Sequence, residues 1–270
     1  MNKYLSSLQN PLIKELVLLK EKSRHRKNTQ SFLLEGKREI LLAAKGKYQV
    51  SKLFYCSTIC SKEMLASIEN SLPIGVEIFE ISKDIYTKIA YRQTTEGVVA
   101  IVGCKKHALD EIIFKRKNPL ILVAEAPEKP GNIGALLRTA DAANIDAVFI
   151  ADPKTDVYNP NIIRSSVGCL FTTQIGIGTS QEIINYLNGH KIHSYAALLS
   201  DDAEPYQIQD FSKATAIVVG TEATGLSNLW TKAVLKKIII PMSGEIDSLN
   251  VSVAAAILVF EATRQRSYKV

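Results

Sequence analysis

Apolar positions along the chain follow two alternating periods. Leu12, Leu16 and Leu19, with Ile13 and Val17 beside them, have the spacing of one helix face and predict a helix that stops in the basic cluster after it. SFLLEG then predicts a short strand and KREILLAAKG a helix closed by Gly46. VSKLFYCS, GVEIFEIS and EGVVAIVGC read as strands from their β-branched and aromatic content, with MLASIENSL and SKDIYTKIAY as helices between them. This is the pattern of a small α/β unit over residues 1–104. The charged stretch CKKHALDEIIFKRKN at 104–118, followed by Pro119, predicts a linker over 105–118.

From 119 to 270 the alternation resumes. LILVAEA, AVFIAD, LFTTQIGI, KIHSYAAL, TAIVVG and KKIIIP are strand-like, with helices predicted over NIGALLRTADAA, NPNIIRSSVG and QEIINYLNG. Continuous apolar runs such as ILVA and AIVVG suit parallel strands covered on both faces, so the fold class is α/β with a mostly parallel sheet. The last helix, in DSLNVSVAAAILVFEATRQR at 247–266, has almost no polar face from Val251 to Phe260. About ten apolar residues are half of the ~20 that a bilayer core requires. The helix is therefore expected to be buried in protein on nearly every side, with its polar first turn (Asp247, Ser248, Asn250, Ser252) facing something specific.

Composition narrows the class. With 46% hydrophobic and 22% charged residues the chain is globular, and neither a membrane span nor a secretory leader is apparent, so a cytoplasmic protein is expected. Cys56, Cys60, Cys104 and Cys169 form no C-x-x-C pair and read as free thiols. His190 and His193 have no cysteine or carboxylate cluster near them in sequence, so no metal site is expected. The net charge of +6 is unevenly placed: residues 1–52 hold twelve Lys or Arg against four Glu, while the remaining 218 hold 21 basic and 23 acidic residues. The densest part, KEKSRHRKNTQ at 20–30, contains Arg24, Arg26 and Lys27, and such a patch attracts a polyanion.

Ligands of open α/β sheets bind beyond the carboxyl ends of the strands, which directs attention to the loops APEKPGNIG, GTEATGLSN and PMSGEIDSLN. Each follows an apolar strand and is rich in glycine and small polar residues. A dinucleotide fold is the rival, with Asp152 in the place of a ribose-binding acid. The loop G-N-I-G lacks the glycines of G-x-G-x-x-G, which disfavours that reading.

PGNIGALLRTADA, IVVGTEATGLS and IIIPMSGEIDSLNVSVAAAILVFEA resemble the three signature motifs of the SpoU-type (TrmH family) RNA ribose 2'-O-methyltransferases of the SPOUT superfamily, in order and spacing. The first hundred residues, with NPLIKELVLLKEKSRHRKNTQSFLLEGKREI, resemble the substrate-binding domain, akin to a ribosomal protein, that many members carry ahead of the catalytic domain. The resemblance implies a deep C-terminal trefoil knot, S-adenosylmethionine held among the knot loops, a homodimer packed over that region, and RNA as substrate, ribosomal RNA ahead of transfer RNA. It implies that Gly220, Ile240 and Leu249 give backbone contacts to the cofactor, with Thr221, Met242 and Asn250 close by. Asn132, Arg138, Glu222, Ser248 and Asn250 fall on the family's polar catalytic positions. Arg24, Arg26, Lys27, Lys37, Arg38 and Arg164 are the expected RNA contacts, Arg164 as a phosphate clamp.

Arg138 is the family's candidate for activating the ribose hydroxyl. A guanidinium holds its proton at ordinary pH, so the physical role open to it is to stabilise the developing alkoxide or to grip the adjacent phosphate, leaving that phosphate or a water to accept the proton. Plainer roles fit the same residues: Asn132 and Ser248 suit helix N-caps, Glu222 suits loop ordering, and Arg138 suits a surface ion pair. An RNA-binding protein that keeps the fold without catalysis is the alternative function.

Overall fold

The structure, a computed structural model, describes residues 3–91, 96–221 and 224–267. Its elements run β1 (Lys3–Leu5), α1 (Pro11–Glu21), α2 (Ser23–Thr29), β2 (Ser31–Glu35), α3 (Lys37–Lys45), β3 (Val50–Tyr55), α4 (Lys62–Glu69), β4 (Glu77–Ile81), α5 (Lys83–Ile89) and β5 (Val98–Gly103), then β6 (Leu120–Glu125), α6 (Pro130–Ala142), β7 (Ala147–Ala151) and α7 (Pro160–Ser165). There follow β8 (Ile175–Gly178), α8 (Ser180–Gly189), β9 (His193–Ala197), β10 (Glu204–Pro205), β11 (Thr215–Val219), α9 (Asn228–Ala233), β12 (Lys236–Ile239) and α10 (Val251–Ser267). The chain divides into two compact units. One comprises residues 1–106 with 156–172, the other 107–155 with 173–270. The division is thus not linear, since α7 and the turn after it belong to the first unit.

In the first unit a five-stranded sheet has the order β1-β4-β3-β5-β2, with β5 antiparallel to both its neighbours and the other pairs parallel. Asn10 caps α1 by accepting from the Leu12 N–H, and Pro11 stands where its missing N–H is not needed. The helix buries Ile13, Leu16 and Leu19 against Phe54, Phe79, Ile85 and Val99. α1 stops in the basic cluster as expected, and a second helix that was not expected follows it there. Lys22 turns the chain extended, and α2 then restarts and closes on left-handed Gln30, with Arg26 and Lys27 in its last turn, where cations complement the helix dipole.

The second unit is built on a seven-stranded, wholly parallel sheet in the order β10-β12-β9-β11-β6-β7-β8. Every residue of β6, β7 and β11 is buried, as their largely apolar sequences require, Glu125 and Thr215 being the buried polar ends. Thr179 and Glu182 form a reciprocal capping box at the start of α8. LFTTQIGI is a strand only from Ile175; Cys169–Phe171 instead forms a 3-10 turn that buries Leu170 and Phe171.

Helix α10 runs against α6 and buries Ala255, Leu258, Val259 and Ala262. It is not enclosed on every side within the chain, for Val253 and Phe260 are each about half exposed. No helix among the described residues is long and apolar enough to cross a membrane. The four cysteines are free thiols.

Candidate active site

In the second unit the three glycine-rich loops emerge from the carboxyl ends of β6, β11 and β12. Gly220 directly follows β11 and is fixed there by close backbone approach. A Cβ on it would lie 2.3 Å from the Gly225 carbonyl carbon and 2.6 Å from the Leu226 nitrogen. That approach exists because Thr221 and Gly225 exchange a pair of backbone hydrogen bonds, each 3.1 Å, folding the loop back on itself. Gly225 takes φ +65°, in the region that favours glycine. The Thr224 N–H donates to the Thr221 hydroxyl at 3.0 Å, tightening the same turn. Glu222, expected on this loop, lies outside the described residues.

Asn250 caps α10. Its Oδ1 accepts from the Ser252 N–H at 3.0 Å, and its carbonyl accepts from the Val253 and Ala254 N–H groups. Its Nδ2 donates to Asn132 Oδ1 at 3.3 Å, which ties the start of α10 to the start of α6. Asn132 is therefore no N-cap: it is the third residue of a helix capped at Lys129, and its side chain faces Asn250. Ser248 caps nothing either, its hydroxyl donating to Asp247 Oδ1 at 3.0 Å.

A cavity of about 870 Å³ opens among these loops, and Gly220, Thr221, Ile240, Met242, Ser248, Leu249 and Asn250 all line it. A smaller one of about 300 Å³ is lined by Glu128, Lys129, Asn132 and Leu136 and shares Gly220, Thr221 and Val251 with the first. Two adjoining hollows over one glycine can hold two reactants side by side, the arrangement a group transfer needs. The linings suit a large polar cofactor: glycines admit it close to the main chain, and Ser, Thr and Asn side chains supply donors and acceptors. Arg138, two turns into α6, is exposed. It has no hydrogen-bond or ion-pair partner among the described residues, so the surface ion pair considered for it is not formed there.

Behind the Gly220 loop stands a buried polar cluster that the sequence reading did not single out. Glu125, which ends β6, accepts from the Ser227 N–H at 2.8 Å and so holds the far end of the loop. The Ser180 hydroxyl lies 3.2 Å from Glu125 Oε1, donates to Asp152 at 2.6 Å, and accepts from Trp230 Nε1 at 2.9 Å. Asp152, considered as a ribose-binding acid in the dinucleotide reading, is thus engaged in starting α8. The signal for Glu125 was available, since it is a lone carboxylate closing an otherwise apolar strand. Lys129 and Glu128, in the smaller cavity, carried no such mark.

This chain matches the SpoU rRNA Methylase family over residues 119–260, and over residues 10–100 it matches the MRM3-like substrate binding domain. The chain belongs to the SpoU rRNA methylase family. It is 29% identical over 262 residues to the 23S rRNA (guanosine(2553)-2'-O)-methyltransferase RlmP of Bacillus subtilis, covering 96% of this chain and 98% of the relative. A crystal structure of an RNA 2'-O ribose methyltransferase superposes with a TM-score of 0.83 at 34% identity, covering 98% of this chain and 99% of that one. The SpoU methyltransferase AviRb from Streptomyces viridochromogenes, solved in complex with AdoMet, superposes with a TM-score of 0.88 at 27% identity over 96% of this chain and 99% of its own.

The first unit divides the basic residues expected at RNA. Arg24 and Lys27 are exposed on α2, and Lys37 and Arg38 open α3. Arg164, on α7, stands over the Tyr91 ring at 5.6 Å. Arg26 is a correction: it is 3% exposed, forms a two-bond pair with Asp156 (2.7 and 3.3 Å), and donates to the Leu19 and Lys20 carbonyls. Its charge is neutralised internally, so no phosphate can reach it. Beside this pair, burial and then the Asp156 charge push the Cys104 thiol up to about 12. Among the described residues no group of three or more possible ligands is placed to hold a metal ion.

Proposed function

We propose that the protein transfers a methyl group from S-adenosylmethionine to a ribose 2'-hydroxyl of ribosomal RNA. The observation that carries this reading is the meeting of Gly220, Thr221, Ile240, Met242, Ser248, Leu249 and Asn250, drawn from the loops after β11 and β12, around one cavity of about 870 Å³ in a chain of the SpoU rRNA methylase family. Its relatives and structural neighbours are ribosomal RNA and RNA 2'-O-methyltransferases, one solved with AdoMet.

The bound cofactor supplies an electrophilic methyl group on a sulfonium. Its transfer to the ribose oxygen would leave S-adenosylhomocysteine and would require the hydroxyl proton to pass to a phosphate oxygen or a water, so the chain's task is to orient that hydroxyl and stabilise the charge on it. In this reading the main chain at Gly220, Ile240 and Leu249 holds the donor, with Thr221, Met242 and Asn250 beside it. Asn132 and Asn250 hold α6 and α10 together so that Arg138 meets the ribose and its phosphate. Ser248 and Glu222 complete the polar set.

The same reading takes residues 1–104 as the RNA-docking part, 105–118 as linker and 119–270 as the methyltransferase part, with the C-terminal segment threaded as a trefoil. It includes a homodimer in the cytoplasm. The exposure of Val253 and Phe260 on an apolar helix supports a second copy covering that face.

Incubation with methyl-labelled S-adenosylmethionine and total RNA is expected to label ribosomal RNA at a 2'-O-methyl nucleotide. Arg138→Ala is expected to abolish labelling while leaving cofactor affinity within a few fold. Cofactor binding without labelling of any RNA would favour the RNA-binding protein that keeps the fold without catalysis, and comparable turnover by the variant would remove Arg138 from the reaction.

A further inference from the structure

The first unit contains a cleft of about 450 Å³ that the methyl-transfer site does not use. Its walls bring three cations (Lys20, Arg38, Arg164) together with three carboxylates (Glu35, Glu39, Glu96) and one aromatic, Tyr91. Tyr91 is 41% exposed yet held at both ends. Its N–H donates to the Glu35 carboxylate, and its hydroxyl donates to Asn161 Oδ1 at 2.6 Å. An exposed ring fixed in this way, with the Arg164 guanidinium 5.6 Å from its centroid, is a preformed stacking surface.

Among the described residues the charge of the lining sums to zero. A plain phosphate site would carry a surplus of cations, so the cleft suits a ligand bearing both an anion and hydrogen-bond donors. Two of the carboxylates are occupied by backbone amides: Glu35 accepts from Tyr91, and Glu96 accepts from the Lys37 N–H at 2.6 Å. Glu39 differs. It is 6% exposed, Arg38 fixes its Oε1 at 2.8 Å, and its Oε2 lies against Gly36, where a Cβ would come within 2.6 Å of it. A fixed carboxylate best complements two adjacent N–H donors. Among the RNA bases only guanine presents such a pair, N1–H and N2–H, on its Watson–Crick edge.

We propose that this cleft takes one unstacked guanine nucleotide of the RNA, with Tyr91 and Arg164 stacking the base and Glu39, held by Arg38, accepting from its Watson–Crick edge. The inference rests on RNA being the substrate class, but it concerns recognition and not transfer.

The test is fluorescence anisotropy of the full-length protein with labelled single-stranded oligouridylates carrying one central guanosine, inosine or adenosine. Guanosine is expected to bind about tenfold more tightly than inosine, which lacks the N2 amine. Tyr91→Ala is expected to lower guanosine binding about tenfold. Glu39→Gln is expected to erase the preference for guanosine over inosine, with circular dichroism melts verifying that the variant folds. Tyr91 is exposed, so its variant keeps the test decisive if Glu39→Gln unfolds. Equal affinity for the three oligonucleotides, or Tyr91→Ala binding like the parent, overturns the inference. Methylation of total RNA without the guanosine preference sinks the cleft alone, whereas the preference without methylation sinks the transferase reading alone.

Discussion

The cavity of the second unit and the cleft of the first are made of different material. Around Gly220 the walls come from strand ends and from a loop folded on itself at Thr221 and Gly225, with no Arg or Glu among the described lining residues. Around Tyr91 the lining is rich in charged side chains, and the fold engages them with backbone groups, with the Tyr91 ring and, for Arg38 and Glu39, with each other. In the first kind of site the determinant is the room a residue leaves. In the second it is which charges remain after the fold has used its share. Arg26 and Arg38 illustrate the latter, being twelve positions apart in one basic segment: the former is locked to Asp156 and the latter keeps 54% of its side chain exposed.

The largest expected effect breaks the comparison on the first unit's side. Arg26→Ala leaves Asp156 buried without its partner, and removing one member of a buried pair costs about 3–5 kcal/mol. Denaturant unfolding is expected to register that loss. The double replacement Arg26→Met with Asp156→Leu is expected to recover most of it, since apolar groups of similar volume leave no uncompensated charge. If Arg26 instead served RNA, the single variant would keep its stability and lose RNA affinity.

The next effect falls on the second unit. Gly220→Ala places a Cβ 2.3 Å from the Gly225 carbonyl carbon, where backbone must yield. Overpacking of this kind costs about 1–3 kcal/mol. If the displaced loop carries the cost into binding, isothermal titration is expected to show S-adenosylmethionine affinity falling by about 5- to 150-fold. An unchanged affinity would separate the loop from the cofactor.

These contrasts also explain what was legible beforehand. β6, β7 and β11 could be read because a strand buried on both faces admits almost no polar residue, and Gly220 stood out because it closes such a run. α2 was missed because its composition is polar and its burial rests on one arginine whose partner lies 130 positions away. β10, two residues long, has no period to detect. Nor could the grouping of 156–172 with the first unit be read from local sequence. What attaches that segment to the first unit is stacking of Tyr158 and Phe171 on Phe32, a contact between distant parts of the chain that leaves no local pattern. Of the site, the loops were legible and their buttress was not, because Glu125, Ser180 and Trp230 are joined only by the fold.

The smallest effect sharpens the comparison by separating two jobs within one residue. Asn250 caps α10 through Oδ1 and reaches Asn132 through Nδ2. Asn250→Ala removes both and is expected to cost about 1 kcal/mol, the usual worth of an N-cap, as a lowered melting temperature. Asn250→Asp keeps an acceptor for the Ser252 N–H and removes the donor to Asn132. An aspartate cap is as good as asparagine, so this variant is expected to melt like the parent. If its methylation nevertheless falls with that of the alanine variant, the asparagine pair governs the approach of α6 to α10, and hence where Arg138 stands. If the aspartate variant methylates normally, the pair is incidental and Asn250 matters as a cap alone.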